Sequence, residues 1–182
     1  VVVGSSQSSF MPGAGSRTPG GLHGYLLRIG GGGAAPAVGL SALYLDGVGT
    51  LPNPNEDPNP VEGFHDVVQL ASGRVLATGR TSTEGLDGSG STLAGRTHDA
   101  FVAEIALDGA GPALKKARFR YLGSTKAVGY KLALGPGSSI VVGGQQFRST
   151  ADFEPVVWGL NATLELTWRH ALNPLKTETI KD

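Results

Sequence analysis

Two dipeptides in the chain have the residue types for metal or proton-transfer chemistry: His65-Asp66 and His98-Asp99. A third histidine, His23, heads a similar segment. An imidazole beside a carboxylate is a common pairing for holding an ion or moving a proton. Successive residues of an extended strand, however, point to opposite faces, so neither dipeptide converges on one metal. Their recurrence predicts a structural hydrogen bond between repeated units. Two loops offer oxygen ligands. "TEGLDGSGS" (Thr83 to Ser91) could hold calcium, but it lacks the D-x-[DN]-x-[DN]-G spacing and bidentate Glu of a calcium loop. "NPNEDPNP" (Asn53 to Pro60) reads as an extended, solvated connector. "IGGGGAA" (Ile29 to Ala35) has the glycines of a loose dinucleotide loop without the helix and crossover such a site needs, so it reads as a turn. No nucleophile elbow, zinc-protease motif or Walker loop is present. No catalytic residue and no metal site are predicted. Asn161-Ala162-Thr163 is a glycosylation acceptor.

The elements that would position these residues are strands. Glycine is abundant, at 29 of 182 residues, and charged residues are only 16%. That suits short strands and many turns better than a helical bundle. Basic and acidic residues balance at 15 each, which disfavours nucleic acid and anionic membrane surfaces as partners. The absence of cysteine excludes disulfides and thiolate metal sites. No run of about 18 apolar residues predicts a membrane span.

The chain repeats itself. "VVVG" (Val1 to Gly4), "VLATG" (Val75 to Gly79) and "IVVGG" (Ile140 to Gly144) match at their closing glycines. A strand-turn segment precedes the second and third copies: "GFHDVVQLASGR" (Gly63 to Arg74) and "GYKLALGPGSS" (Gly129 to Ser139). A loop follows each copy, and then a third strand: "HGYLLRI", "HDAFVAEI" or "FEPVVWGL". A fourth follows in "LSALYLDG", "ARFRYLGS" and "LELTWRH". Apolar runs of this length, bounded by Gly, Pro or Ser, are strand signals.

Four strands per unit, repeated, predict an all-β protein: a β-propeller segment of about two and a half four-stranded antiparallel blades. The expected division is residues 1–62 as a blade part with long loops, 63–126 as one complete blade, and 127–182 as a further, incomplete blade. A blade buries its faces only against neighbours, so the chain is expected to be a segment of a longer protein that supplies the remaining blades.

The residues "DAFVAEIALDG" (Asp99 to Gly109), "YLGS" (Tyr121 to Ser124) and the Gly129 to Gly144 segment are similar to the SBBP repeat, the seven-bladed β-propeller family. "YLDG" at Tyr44 to Gly47 is a second copy of the "YLGS" element. The resemblance spans most of the chain outside the long loops. It implies a propeller in a secreted or cell-surface protein, without catalytic activity and without catalytic residues to carry over.

In such a blade the first-to-second and third-to-fourth turns share one rim. The long loops, Ser5 to Leu22, Asp46 to Glu62 and Arg80 to Thr97, gather on the other. Long loops on a rigid scaffold carry binding residues, which makes Arg17, Glu56, Asp57, Arg80, Glu84, Asp87 and Arg96 the ligand-binding candidates. Trp158, Trp168, Phe101, Phe119, Tyr121 and Tyr130 are expected between blades as core. The leading expectation is a non-catalytic scaffold that binds other protein chains or surface glycans, with no cofactor. The alternatives are a structural module of a large extracellular assembly and part of a propeller glycosidase or lyase. The enzyme would need paired carboxylates.

Overall fold

A computed structural model of the chain describes residues 1–6, 10–11, 15–16, 23–29, 40–44, 63–82, 98–106, 115–148 and 152–172. The elements in order are β1 (Val2–Ser6), β2 (Phe10–Met11), β3 (Gly15–Ser16), β4 (His23–Ile29), β5 (Leu40–Tyr44), β6 (Gly63–Gln69), β7 (Val75–Thr81), β8 (Asp99–Ala106), β9 (Lys115–Tyr121), β10 (Ala127–Leu134), β11 (Ile140–Phe147), β12 (Phe153–Leu160) and β13 (Leu166–Ala171). Among the described residues there is no α-helix, only a short 3-10 turn at Pro136–Ser138. The protein is all-β, and every pairing among the described residues is antiparallel.

Three main sheets follow the chain. The first has the order β1-β4-β5, the second β6-β7-β8-β9 and the third β10-β11-β12-β13. A small hairpin, β2-β3, lies inside the segment expected as a plain loop. Consecutive sheets pack face to face: β1 and β4 meet β6, and β10 meets β6, β7 and β8.

Side-chain alternation assigns the faces. Phe64, Val75, Ala77, Phe101, Ala103, Ile105 and Phe119 join Leu26 in one cluster, between the first and second sheets. Leu76, Ala100 and Val102 join Leu132, Ile140, Val142, Val156, Trp158 and Leu160 in the other, between the second and third. The second sheet is therefore covered on both faces. That is why β8 reads as a nearly unbroken apolar run and is buried at seven successive positions. Among the described residues the third sheet is covered on one face only, and β13 is largely exposed.

The repeat has a physical cause. A Cβ at Gly79 would lie 1.8 Å from the Gly63 carbonyl oxygen, and one at Gly144 would lie 2.1 Å from that of Val128. Both carbonyls belong to the opening of the first strand of their sheet. Each first strand then carries a one-residue bulge, at His65 in β6 and at Tyr130 in β10. The closing glycine is the place where the second strand lets that backbone approach.

The core differs from expectation at two aromatics. Trp158 and Phe101 are fully buried and Phe119 nearly so, but Trp168 keeps 48% of its surface and Tyr130 keeps 43%. Trp168 lies over Gly159 on the face of the third sheet turned away from the second, so no described sheet covers it. Tyr130 is the bulged residue of β10, which turns it out of the strand alternation.

Candidate functional site

The predicted binding loops fall mostly outside the described residues. Arg17, Glu56, Asp57, Glu84, Asp87 and Arg96 lie there, as do both oxygen-rich loops. Arg80 is described. It belongs to β7, opposite Gly63 and Ala100, and not to a loop, because pairing continues past Gly79. Its Nε is buried without a hydrogen-bond partner.

Asn161 sits where expected, in the turn between β12 and β13. Its side-chain oxygen accepts hydrogen bonds from Thr163 N, Thr163 Oγ1 and Glu165 N, and its Nδ2 donates to Glu165 Oε2 at 2.7 Å. The carboxamide thus organises the turn that presents it.

Among the described residues a cleft of about 580 Å³ lies between the second and third sheets, at the rim of the short turns. Leu70, Leu76, Leu134 and Ile140 form its apolar wall. Arg74, Glu104 and Arg118 form its polar side. Glu104 stands on β8 directly opposite both Leu76 and Arg118. Only 3% of its side chain is exposed, against 49% for Arg74 and 39% for Arg118. Arg74 Nη1 donates to Glu104 Oε1 at 2.9 Å, and Arg118 donates to Oε2 through both Nε and Nη2. Burial alone would push the Glu104 carboxyl up. The hydrogen bonds and charges of Arg118 and Arg74 outweigh it and hold the group below the usual carboxylate range. The rung is an ionised acceptor between two guanidinium groups, with a net charge of one positive (two cations less one anion). It has no proton to donate at neutral pH. It suits holding a shape and meeting a polar partner, not acid catalysis.

A second charged rung crosses the third sheet. Glu154 on β12 accepts from Arg169 Nη2 at 2.9 Å and from Arg148 Nη2. Arg169 also donates to Gln146 Oε1 at 2.8 Å. Gln146 Nε2 in turn reaches Thr125 Oγ1 at 2.7 Å and Ser124 Oγ at 3.0 Å, tying the rung to the connector between β9 and β10. Burial opposes the ionised form of Glu154, and its two arginines again prevail and lower its pKa.

The histidine dipeptides act as staples. His65 Nδ1 bonds the Gly129 carbonyl at 2.7 Å, and its ring stacks on Tyr130 at 5.5 Å. Asp66 Oδ2 accepts Leu132 N–H at 3.0 Å. The two adjacent side chains both hold the third sheet to the second. Burial lowers the His65 pKa, the bond to Gly129 opposes that shift, and the charge of Arg80 adds to it. His98 is buried, with its ring edge-on to Phe147, and its carbonyl accepts Ala127 N–H. Asp99 Oδ1 accepts Gly123 N–H at 2.8 Å.

Sequence reasoning missed the rungs. The only signal was a single charge inside each apolar third strand, "FVAEIA" and "FEPVVW". Among the described residues no group of three or more His, Asp or Glu is placed to hold a metal, and no helix is long and apolar enough to cross a membrane. No family model matches the chain, and no curated protein matches it.

Proposed function

We propose that the chain is part of a non-catalytic β-propeller scaffold that binds a protein or glycan partner at its rims, in a secreted or cell-surface setting. One observation carries this reading: the sheets stack with a repeated offset. Leu26 of the first sheet packs toward the second as Val102 of the second packs toward the third. Among the described residues nothing covers the face of the third sheet that would continue the series, and Trp168 stands on it at the position Arg118 holds in the second sheet. Further blades of the same kind would meet it there. The cleft supports a binding role, because both Glu104 oxygens are engaged by arginines and the group is held ionised. The resemblance of "DAFVAEI" and "YLGS" to the SBBP repeat points the same way.

The test pairs a binding screen with an activity screen. The chain is immobilised and challenged with acidic and neutral oligosaccharides and with secreted proteins, while release of new reducing ends is assayed in parallel. Saturable binding without turnover is expected. Saturable cleavage of any polysaccharide overturns the scaffold reading, and binding to none of the ligands overturns the partner assignment.

A further inference from the structure

The cleft at the short-turn rim is held in shape on both sides before any ligand arrives. Three turns frame it, and each is closed by backbone hydrogen bonds. Leu70 N–H donates to the Arg74 carbonyl at 2.7 Å, Gly135 N–H to that of Ser139 at 2.8 Å, and Asn161 N–H to that of Glu165 at 3.0 Å. Leu76 and Ile140, both buried in the core between the sheets, continue into its wall, and the exposed Leu134 stands beside them. A site built this way loses little freedom when it is filled.

Arg118 supplies the recognition group. A guanidinium is a planar fork whose edges can each clasp a carboxylate. Arg118 spends one edge, Nε with Nη2, on Glu104. The other edge, Nη1 with the second N–H of Nη2, bonds no described residue, and the side chain is partly exposed where it lines the cleft. The buried Glu104 fixes the plane of the fork, so the second edge is aimed in advance. Beside it stand four aliphatic side chains, Leu70, Leu76, Leu134 and Ile140. Among the described residues no aromatic ring lines the cleft, so a sugar face has nothing to stack on. A carboxylate joined to an aliphatic group matches both sides, and a polypeptide supplies that pair.

We propose that the cleft binds the C-terminal carboxylate of a partner polypeptide that ends in an aliphatic residue. The second edge of Arg118 clasps the α-carboxylate through two parallel hydrogen bonds. The last side chain packs on Leu76, Leu134 and Ile140. A terminal residue presents both groups from one Cα, and a space of about 580 Å³ is of the size that takes a small ligand or a few terminal residues. The inference rests on the partner-binding reading of the rims and narrows it to a polypeptide at one site.

The experiment uses the whole chain and a fluorescein-labelled peptide that ends in Ala-Ala-Leu with a free carboxylate, read by fluorescence anisotropy. Saturable binding is expected. The same peptide amidated at its C terminus, and one ending in Ala-Ala-Ser, are each expected to bind about tenfold more weakly. Leu134→Glu changes an exposed position, so the core is untouched, and it is expected to abolish binding. Arg118→Lys keeps the charge but removes the second edge, and is expected to weaken binding about tenfold. Equal binding of acid and amide overturns the proposal, as does binding that Leu134→Glu leaves unchanged. An amidated peptide with an internal Glu-Leu pair that binds as tightly as the free acid overturns the terminal assignment. If the peptide fails to bind while oligosaccharides or secreted proteins still do, the cleft assignment falls and the partner-binding reading stands. If nothing binds, both fall.

Discussion

Glu104 in the second sheet and Glu154 in the third are both third-strand carboxylates, buried and flanked by two arginines, yet they sit at opposite ends of their strands. Glu104 lies near the end of β8 and takes its cations from Arg74, just before β7, and Arg118 on β9. Glu154 lies at the start of β12 and takes them from Arg148, just after β11, and Arg169 on β13. In the third sheet, the place equivalent to Glu104 is Gly159, with Trp168 lying over it where Arg118 would be. The closing glycines and first-strand bulges, by contrast, are the same in both sheets. Backbone approach is therefore a fixed requirement of the repeat, while the charged rung can move from one rim to the other. A rung needs only three neighbouring strands with the right registers. The glycine needs one particular carbonyl.

The most severe way to test that contrast is to fill the glycines. Gly79→Ala and Gly144→Ala are each expected to cost about 3 kcal/mol, since the added methyl meets backbone that cannot rotate away. Gly143→Ala is the internal control. Its built Cβ meets nothing within 4 Å, so the loss should stay under about 0.5 kcal/mol. Urea unfolding of the three variants decides it. Equal effects at Gly143 and Gly144 would remove the backbone-approach explanation.

Next come the rungs. In each, the arginine from the fourth strand is the less exposed partner: Arg118 keeps 39% of its side chain exposed against 49% for Arg74, and Arg169 keeps 34% against 48% for Arg148. Arg118→Met and Arg169→Met are expected to lose about 2 kcal/mol each. Arg74→Met and Arg148→Met should lose about half as much, because each buried glutamate keeps its less solvent-screened partner. If the order reverses, the fourth strand does not anchor the rung.

The pH profile separates rung from staple. Glu104 and Glu154 titrate lower in the folded protein than in the unfolded chain. Their stabilisation is present above the unfolded carboxylate range and is lost as pH falls through the lowered folded values. Glu104→Gln combined with Glu154→Gln should flatten that acid limb. His65 has a folded pKa below its unfolded value, so its neutral form is the one folding favours. Stability should first dip as pH falls below the ordinary histidine range, and that dip should vanish in His65→Gln. Calorimetric melting across pH reads both limbs, and a persistent dip in the variant would assign it to another group.

The smallest effect belongs to Lys131 and Asp66, 3.8 Å apart with the lysine 81% exposed. Lys131→Ala should change stability by less than about 0.5 kcal/mol. A larger loss in the same urea series would show that the staple depends on charge as well as on the Asp66 bond to Leu132.

Much of the strand order was legible because apolar runs and glycine punctuation are local properties. β4 and β12 span the very segments read from sequence, His23–Ile29 and Phe153–Leu160. Pro155 in β12 did not stop the strand. It sits near the start, before pairing with β13 begins at Val156. Whatever depends on register between distant strands stayed hidden. Arg80 looked like a loop residue because Gly79 looked like an end. The cleft lies on the short-turn rim, whereas loop length pointed to the opposite one. Glu104 reads as an interruption of "DAFVAEI" until Arg118 is placed opposite it, and nothing local to either residue announces that pairing. The two bulges were equally hidden, since one extra residue in a strand leaves no mark on composition.

The meander order bears on how the protein is made. In the second and third sheets every strand pairs only with its neighbours in sequence, so each sheet is complete as soon as its fourth strand leaves the ribosome. Pairing within a sheet already joins residues well apart in sequence, as Val75 and Ile105 are, and stacking of the sheets adds contacts of longer reach. Synthesis delivers the strands of the second sheet before those of the third, so β6, β7 and β8 precede the β10 that packs on them. The meander order allows assembly by accretion along the chain, each sheet adding to the one before it.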